Sequence, residues 1–313
     1  MDGVLIIDKP PDWTSHDVVA RVRRLLQTKR VGHTGTLDPF ATGVLVMLVG
    51  RATRLAQFLV NSEKHYEATI RFGYTTNTGD RTGERIATTP ELQAWSEDEI
   101  ERALESLRGR IEQVPPMYSA KKVKGQKLYE LARRGEEVER PAVPVYIHEL
   151  EAQSSDGALL CTNADGTIDM EVRVRCSAGT YIRVLAETIG ERLGAKAHLA
   201  TLRRTQAGSF NLECAVDLDQ LQKIAEAGEA QRIIISPDEA LSHLPFVHLT
   251  AGQARRAQDG VAWRVDDAQG VDLKDGEQVR MRDERGNLIA VGVYNAARES
   301  VQPRVSFASL PAS

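Results

Sequence analysis

Cysteine is scarce in this chain, with three in 313 residues, and Cys161, Cys176 and Cys214 stand far apart. An odd, scattered set of thiols fits neither a disulfide framework nor a zinc knuckle, and points to buried free thiols in a cytoplasmic protein. No apolar run approaches the roughly 20 residues that cross a bilayer, which excludes a helical membrane span. The first residues run straight into Gly3-Val4-Leu5-Ile6-Ile7-Asp8, a strand pattern without the basic start and cleavage site of a targeting segment. There is no Gly-Lys-Ser/Thr phosphate loop and no cluster of metal ligands, so neither a metal nor another cofactor is expected. Internal repeats, low-complexity tracts and long linkers are also missing. What remains is ordinary for a globular protein, 42% hydrophobic and 27% charged. The length suits one large domain and a small one.

Net charge is −4, an unpromising sign for a nucleic-acid partner, but its distribution is uneven. Residues 1–134 hold 21 Lys/Arg against 17 Asp/Glu, residues 135–240 hold 10 against 18, and residues 241–313 hold 9 of each. The basic residues of the first part cluster at Arg21, Arg23, Arg24, Lys29 and Arg30, and again at Lys121, Lys122, Lys124, Lys127, Arg133 and Arg134. Such clusters are commonly solvated faces. Phosphate contacts dominate nucleic-acid affinity, however, and these two flank an unusual loop.

That loop is Gly32-His33-Thr34-Gly35-Thr36-Leu37-Asp38-Pro39-Phe40-Ala41-Thr42-Gly43, followed by the apolar run Val44–Val49. Asp38 is its single acid. A carboxylate on a braced loop can act as nucleophile, general base or charge stabiliser. Turn propensity alone accounts equally well for an isolated Leu-Asp-Pro. Around it the pattern predicts a strand at Val4–Ile7 and a helix capped by Thr14 or Ser15, with Val18, Val19, Val22, Leu25 and Leu26 on its inner face. A buried strand is expected at Val44–Val49, a helix near Ala52–Val60, and an alternating strand from Tyr66 through Tyr74. Ser96 with Glu99 makes a capping box for a helix through Leu107. Residues 113–135 read as a basic loop leading into a short helix, with strands near 142–152 and 168–176. Helices follow from Gly179–Arg183 through Leu193 and from Asp217 to Ala227. From about Pro245 a short helix and several short strands suit a small β-barrel.

Read together, several segments resemble the TruB family of pseudouridine synthases. They are Asp8-Lys9-Pro10 with Thr14-Ser15-His16-Asp17, the Gly32–Gly43 loop, Lys64-His65-Tyr66-Glu67-Ala68, the Pro115–Lys122 stretch and Gly179-Thr180-Tyr181-Ile182-Arg183. The resemblance implies an α+β fold, with a central mixed, mostly antiparallel sheet flanked by helices in a catalytic domain over residues 1–243. A basic RNA-clamping segment is inserted at about 113–140. Residues 244–313 resemble a small PUA-like β-barrel through Arg255-Arg256, Gly260 and Gly286 to Gly292; the neutral charge of this part suits a structural role as well as RNA contact. The implied reaction is isomerisation of the T-loop uridine at tRNA position 55 to pseudouridine, by a monomer that needs no guide RNA, metal or other cofactor.

Residue by residue, Asp38 matches the family's nucleophilic aspartate, attacking either ribose C1′ or base C6. Tyr66 matches the tyrosine that stacks on the base and assists proton transfer. Arg183 matches the arginine paired with the carboxylate, expected to lower its pKa by direct attraction. Tyr181 and Leu202 correspond to pocket walls, and His33 to the histidine that fills the space left by an extruded base. Lys9 corresponds to a residue near the pocket, and Lys121, Lys122 and Lys124 fit a mobile segment closing over the T-arm. Three alternatives stand beside this reading. One is a guide-RNA-dependent pseudouridylase, disfavoured by the basic insertion. The second is a tRNA-folding chaperone with the same fold. The third is a retaining hydrolase, which needs a second positioned carboxylate that the matched motifs lack.

Overall fold

The computed structural model describes residues 1–307 except 120, 124, 137, 155–156 and 266–271, and describes 122, 123, 127, 129 and 133 by their backbone alone. In chain order the first half comprises β1 (Gly3–Lys9), α1 (Ser15–Leu25), β2 (Val31–Thr34), β3 (Thr42–Val49), α2 (Ala56–Leu59) and β4 (Lys64–Phe72). The hairpin β5 (Tyr74–Thr76) and β6 (Arg85–Thr88) leads to α3 (Glu97–Glu105), β7 (Gly109–Gln113), the short pair β8 (Lys122–Val123) and β9 (Gln126–Lys127), and α4 (Leu128–Arg133). Then come β10 (Val143–Gln153), β11 (Leu160–Thr162), β12 (Ile168–Cys176), α5 (Ile182–Arg192), β13 (Ala197–Ala207), β14 (Phe210–Asn211) and α6 (Leu218–Glu226). The C-terminal part holds β15 (Phe246–His248), α7 (Ala251–Gln258), β16 (Trp263–Arg264), β17 (Gln278–Arg282), β18 (Leu288–Asn295) and β19 (Ser300–Ser306).

A ten-stranded sheet organises the large part in the order β1-β3-β13-β4-β12-β10-β7, with β2, β11 and β14 pairing alongside. All its pairs are antiparallel except β3 with β13. Helix α1 starts where Thr14 and Asp17 form a reciprocal capping box, an arrangement worth about 1 kcal/mol. Its buried face, Val18, Val19 and Val22, packs on Leu5, Ile7, Leu45 and Met47 together with Leu221 of α6. Each such aliphatic side chain contributes roughly 1.5–3 kcal/mol by burial. Helices α3 and α5 cover the β4–β12 region, where Leu37, Phe40, Tyr66 and Leu202 join the same apolar cluster.

The parallel β3–β13 junction depends on Gly43. Its φ is +100°, and a Cβ there would lie 2.2 Å from the Arg204 carbonyl oxygen. Only glycine lets the two backbones approach this closely.

The C-terminal sheet runs β15-β17-β18-β19-β16, a PUA-like arrangement. It is not a loosely tethered module. Val291, Val305 and Phe307 share one apolar cluster with Val4, Ile6 and Val44 of the main sheet. Arg280 and Arg282 of β17 both pair with Asp238.

Three local expectations are corrected. The Ala52–Val60 helix is a 3-10 helix over Gly50–Leu55 followed by the single turn of α2. The start of the glycine-rich loop is strand β2, because Val31–Thr34 finds a free edge on β3. Strand β13, central to the sheet, carries two register shifts against β4 that break its alternation, and no strand is predicted there.

Candidate active site

The Asp38 loop joins β2 to β3 and is anchored at alternate residues by three different elements. From β13, Arg204 Nη2 donates to the Gly35 carbonyl (2.9 Å) and its Nε to Val44 O (2.7 Å). From α1, the Ser15 hydroxyl accepts from Leu37 N (3.0 Å) and donates to Leu37 O (3.1 Å). From β1, the fully buried Lys9 ammonium donates to Pro39 O (2.9 Å), Pro10 O (2.9 Å) and Trp13 O (2.7 Å). Leu37 and Phe40 point into the core. Asp38 is the loop's acidic side chain lining a cavity of about 420 Å³, with Thr36 beside it.

Arg183, in the first turn of α5, meets that carboxylate with two nitrogens: Nε at 2.9 Å from Oδ2 and Nη2 donating at 3.3 Å to Oδ1. Arg183 is 5% exposed, and its guanidinium is fixed further by donating to Thr78 O (2.8 Å) and Tyr118 O (2.7 Å). Asp80 stands behind it, with Oδ2 at 3.8 Å from Nη1, and accepts from the Thr78 and Thr82 hydroxyls and the Thr82 amide. The expectation that Arg183 lowers the Asp38 pKa overall is corrected. Burial raises the Asp38 carboxyl above its ordinary range and outweighs the Arg183 attraction, and Asp80 adds to the rise.

Across the cavity Tyr66 projects from β4, 8% exposed. Burial pushes its phenol above the ordinary value, against the pull of Arg204. Tyr181, at the N-cap of α5, exchanges hydrogen bonds with the buried Gln113: its amide donates to Oε1 (2.9 Å) and its carbonyl accepts from Nε2 (3.3 Å). Leu202, Ser119, Lys64 and Lys121 complete the walls. Burial lowers the Lys64 ammonium to about 8, and it donates to the Val60 and Ser62 carbonyls.

Six of the residues singled out from sequence therefore meet in one cavity: Asp38, Tyr66, Arg183, Tyr181, Leu202 and Lys121. Lys9 does not line it. With all three ammonium protons given to carbonyls, it supports the loop rather than offering a donor to substrate. His33 lies on β2 beside the cavity loop, edge-on to His16 with ring centroids 5.6 Å apart. Its Nδ1 is buried without a partner, and burial lowers its pKa to about 4. Lys122 is described by its backbone in β8, and Lys124 lies outside the described residues. Sequence reasoning missed Asp80, Gln113 and Arg204 as site residues, since nothing in their local pattern marks them. Lys64 and Ser119 stood inside the matched segments and were legible there. Among the described residues no group of His, Cys, Asp and Glu is arranged to hold a metal ion, and no helix is long and apolar enough to cross a membrane.

The model of the TruB family pseudouridylate synthase N-terminal domain matches residues 23–182, and that of the tRNA pseudouridylate synthase B C-terminal domain matches residues 183–242. The tRNA pseudouridine synthase B of Geobacillus thermodenitrificans is 46% identical over 265 residues, covering 85% of this chain and 86% of that protein. That of Solibacter usitatus is 45% identical over 262 residues, covering 83% and 86%. Among solved structures, a Cbf5-Nop10-Gar1 complex matches with a TM-score of 0.71 and 27% identity, covering 97% of this chain and 84% of that one. An archaeal box H/ACA sRNP Nop10-Cbf5 complex gives 0.70 and 26%, covering 98% and 86%. The chain belongs to the TruB family of pseudouridine synthases.

Proposed function

We propose that this protein converts the T-loop uridine at tRNA position 55 to pseudouridine, acting as a monomer without guide RNA or metal. The observation that carries this reading is the Asp38–Arg183 pair at 2.9 Å facing Tyr66 across a cavity, in a chain 46% identical to a tRNA pseudouridine synthase B. The cavity volume lies within the roughly 300–1,000 Å³ usual for small-ligand sites. One extruded nucleotide is the ligand it suits.

Extrusion of a stacked base costs a few kcal/mol. Stacking on an aromatic such as Tyr66 returns about 1–3 kcal/mol. The Asp38 carboxylate then attacks the nucleotide at ribose C1′ or base C6. The N1–C1′ bond breaks, the detached uracil turns, and a C5–C1′ bond forms as the Asp38 bond is released. One proton leaves C5 and one arrives at N1, so the rearrangement balances without water, oxidant or nucleotide cofactor. Arg183 orients the nucleophile and opposes its protonation in the buried site.

Residues 1–243 form the catalytic unit in this reading, and 244–313 the RNA-binding unit. Arg280 and Arg282, two of the nine basic residues of the latter, are committed to Asp238. Arg255 and Arg256 on α7 are exposed and stand among its candidate phosphate contacts. A guide-dependent reading is supported by the Cbf5 likeness at 27% identity. The 46% identity to a tRNA pseudouridine synthase B and the basic 113–140 segment favour action on tRNA without a guide, and the reading includes a cytoplasmic location. The test is incubation with an unmodified tRNA transcript in EDTA, with no other RNA, and mapping of pseudouridine. One modified T-loop uridine is expected. No product without a guide RNA refutes the stand-alone reading.

A further inference from the structure

Three cations are buried in the cavity wall: Lys64, Arg183 and Arg204. Arg183 is matched by Asp38, whereas among the described residues Lys64 and Arg204 have no carboxylate partner. Lys64, 7% exposed, stands on the buried face of β4 that also carries Tyr66. Its ammonium donates to Val60 O (2.8 Å) and to Ser62 O, which leaves one proton and the charge uncommitted. Arg204, 1% exposed, commits Nε and Nη2 to two loop carbonyls, as described. The two cations converge at Gly35. A Cβ there would lie 3.3 Å from Arg204 Nη1 and 3.8 Å from Lys64 Cε, so the loop presents no side chain where they meet. Burying a cation is costly unless an anion meets it, and neither of these two holds Asp38.

Resting on the function proposed above, we infer that Lys64, seconded by Arg204, is a catalytic residue whose ammonium stabilises the negative charge that passes from Asp38 onto the uracil ring. Both routes of attack create that charge. If an Asp38 oxygen bonds to C1′, the N1–C1′ electron pair departs with the uracil and spreads toward O2 and O4. If it bonds to C6, the C5=C6 π pair moves toward O4 as an enolate. Either way the Asp38 carboxylate becomes a neutral ester and the same unit of charge reappears on the ring. Arg183 is placed for the charge before this step, and Lys64 with Arg204 for the charge after it. Cations fixed in a cavity poor in water act strongly on developing charge, because they need no reorganisation as it forms. The competing account is that Lys64 only staples the turn between α2 and β4 through the Val60 and Ser62 carbonyls.

The test compares two tRNA transcripts in single turnover, one with uridine and one with 5-fluorouridine at the target position. Fluorine withdraws charge, so the fluorinated ring carries its negative charge with less help. The reaction is followed as loss of the N1-linked nucleoside, because C5 of the fluorinated ring has no proton to release. Removing one preorganised donor of this kind costs about 10²–10³-fold in rate, and Lys64→Met is expected to lose about 100-fold on uridine, with Arg204 still in place. On 5-fluorouridine the same variant should lose less than about 10-fold, while its tRNA affinity stays within about 3-fold of wild type. That affinity, with the melting temperature, certifies the fold of the preparation. Lys64→Gln keeps a donor for the Val60 and Ser62 carbonyls without the charge; it should show the same pattern, and it takes the place of a Met variant that does not fold. Equal losses on the two transcripts overturn the inference and leave Lys64 as a staple, as does a wild-type rate in Lys64→Gln. A wild type that leaves both nucleosides intact refutes the function reading itself, a result distinct from an active wild type with an unaffected Lys64 variant.

Discussion

Replacing Arg183 by methionine removes one cation from between two acids. Asp38 loses its contacts at 2.9 and 3.3 Å, Asp80 loses its partner at 3.8 Å, and the Thr78 and Tyr118 carbonyls lose their donor. Breaking a buried ion pair by deleting one member costs about 3–5 kcal/mol, chiefly from the charge left behind. Asp38 keeps about a third of its side chain exposed, which places the expected loss toward the lower end. The loss should depend on pH with a definite sign. Burial already raises Asp38 in the folded protein, and without Arg183 it rises further. A group whose folded pKa is raised contributes stability below its unfolded pKa, and loses that contribution as pH rises through its folded pKa. Urea unfolding of Arg183→Met should therefore show a small deficit relative to wild type near pH 4 and a larger one near pH 7.5. A deficit under about 1 kcal/mol at neutral pH contradicts the burial argument, as does one that is flat across this range.

Two further outcomes follow from the geometry. Gly43→Ala places a Cβ 2.2 Å from Arg204 O at a φ of +100°, so stability should fall by more than about 2 kcal/mol, with catalysis reduced through displacement of β13; a wild-type melting temperature and rate would show that the junction relaxes freely. Lys121→Ala removes a cation at the cavity wall. It should weaken tRNA binding and lower the slope of log K against log salt by about 1, and an unchanged slope places Lys121 away from phosphate.

Local signals were legible wherever one face of an element is buried and its ends are capped. Thr14 caps α1 and Ser96 with Glu99 forms the capping box its spacing predicts, and β4 alternates buried and open as its sequence does. Strand β13 was illegible because its bulges interrupt the alternation and adjacent arginines, Arg203 and Arg204, look like a surface. One of them pairs with Asp8 at 2.7 Å, and the other is enclosed entirely. The site followed the same division. Asp38, Tyr66 and Arg183 stood out through the family motifs around them. Asp80 and Gln113 act through partners 103 and 68 residues away in sequence, Arg183 and Tyr181, a distance no local pattern reports. The sign at Asp38 was also missed: charge attraction can be read from a sequence, whereas desolvation needs the cavity.

The most direct measurement is single-turnover pseudouridine formation by Asp38→Asn, with tRNA affinity determined on the same preparation. The amide keeps the shape of the side chain and its place beside Arg183, and removes the negative charge that attacks. If Asp38 is the nucleophile, no pseudouridine forms while tRNA still binds. Product at a rate near that of the wild type would contradict the role given to Asp38, and with it the mechanism built on this loop.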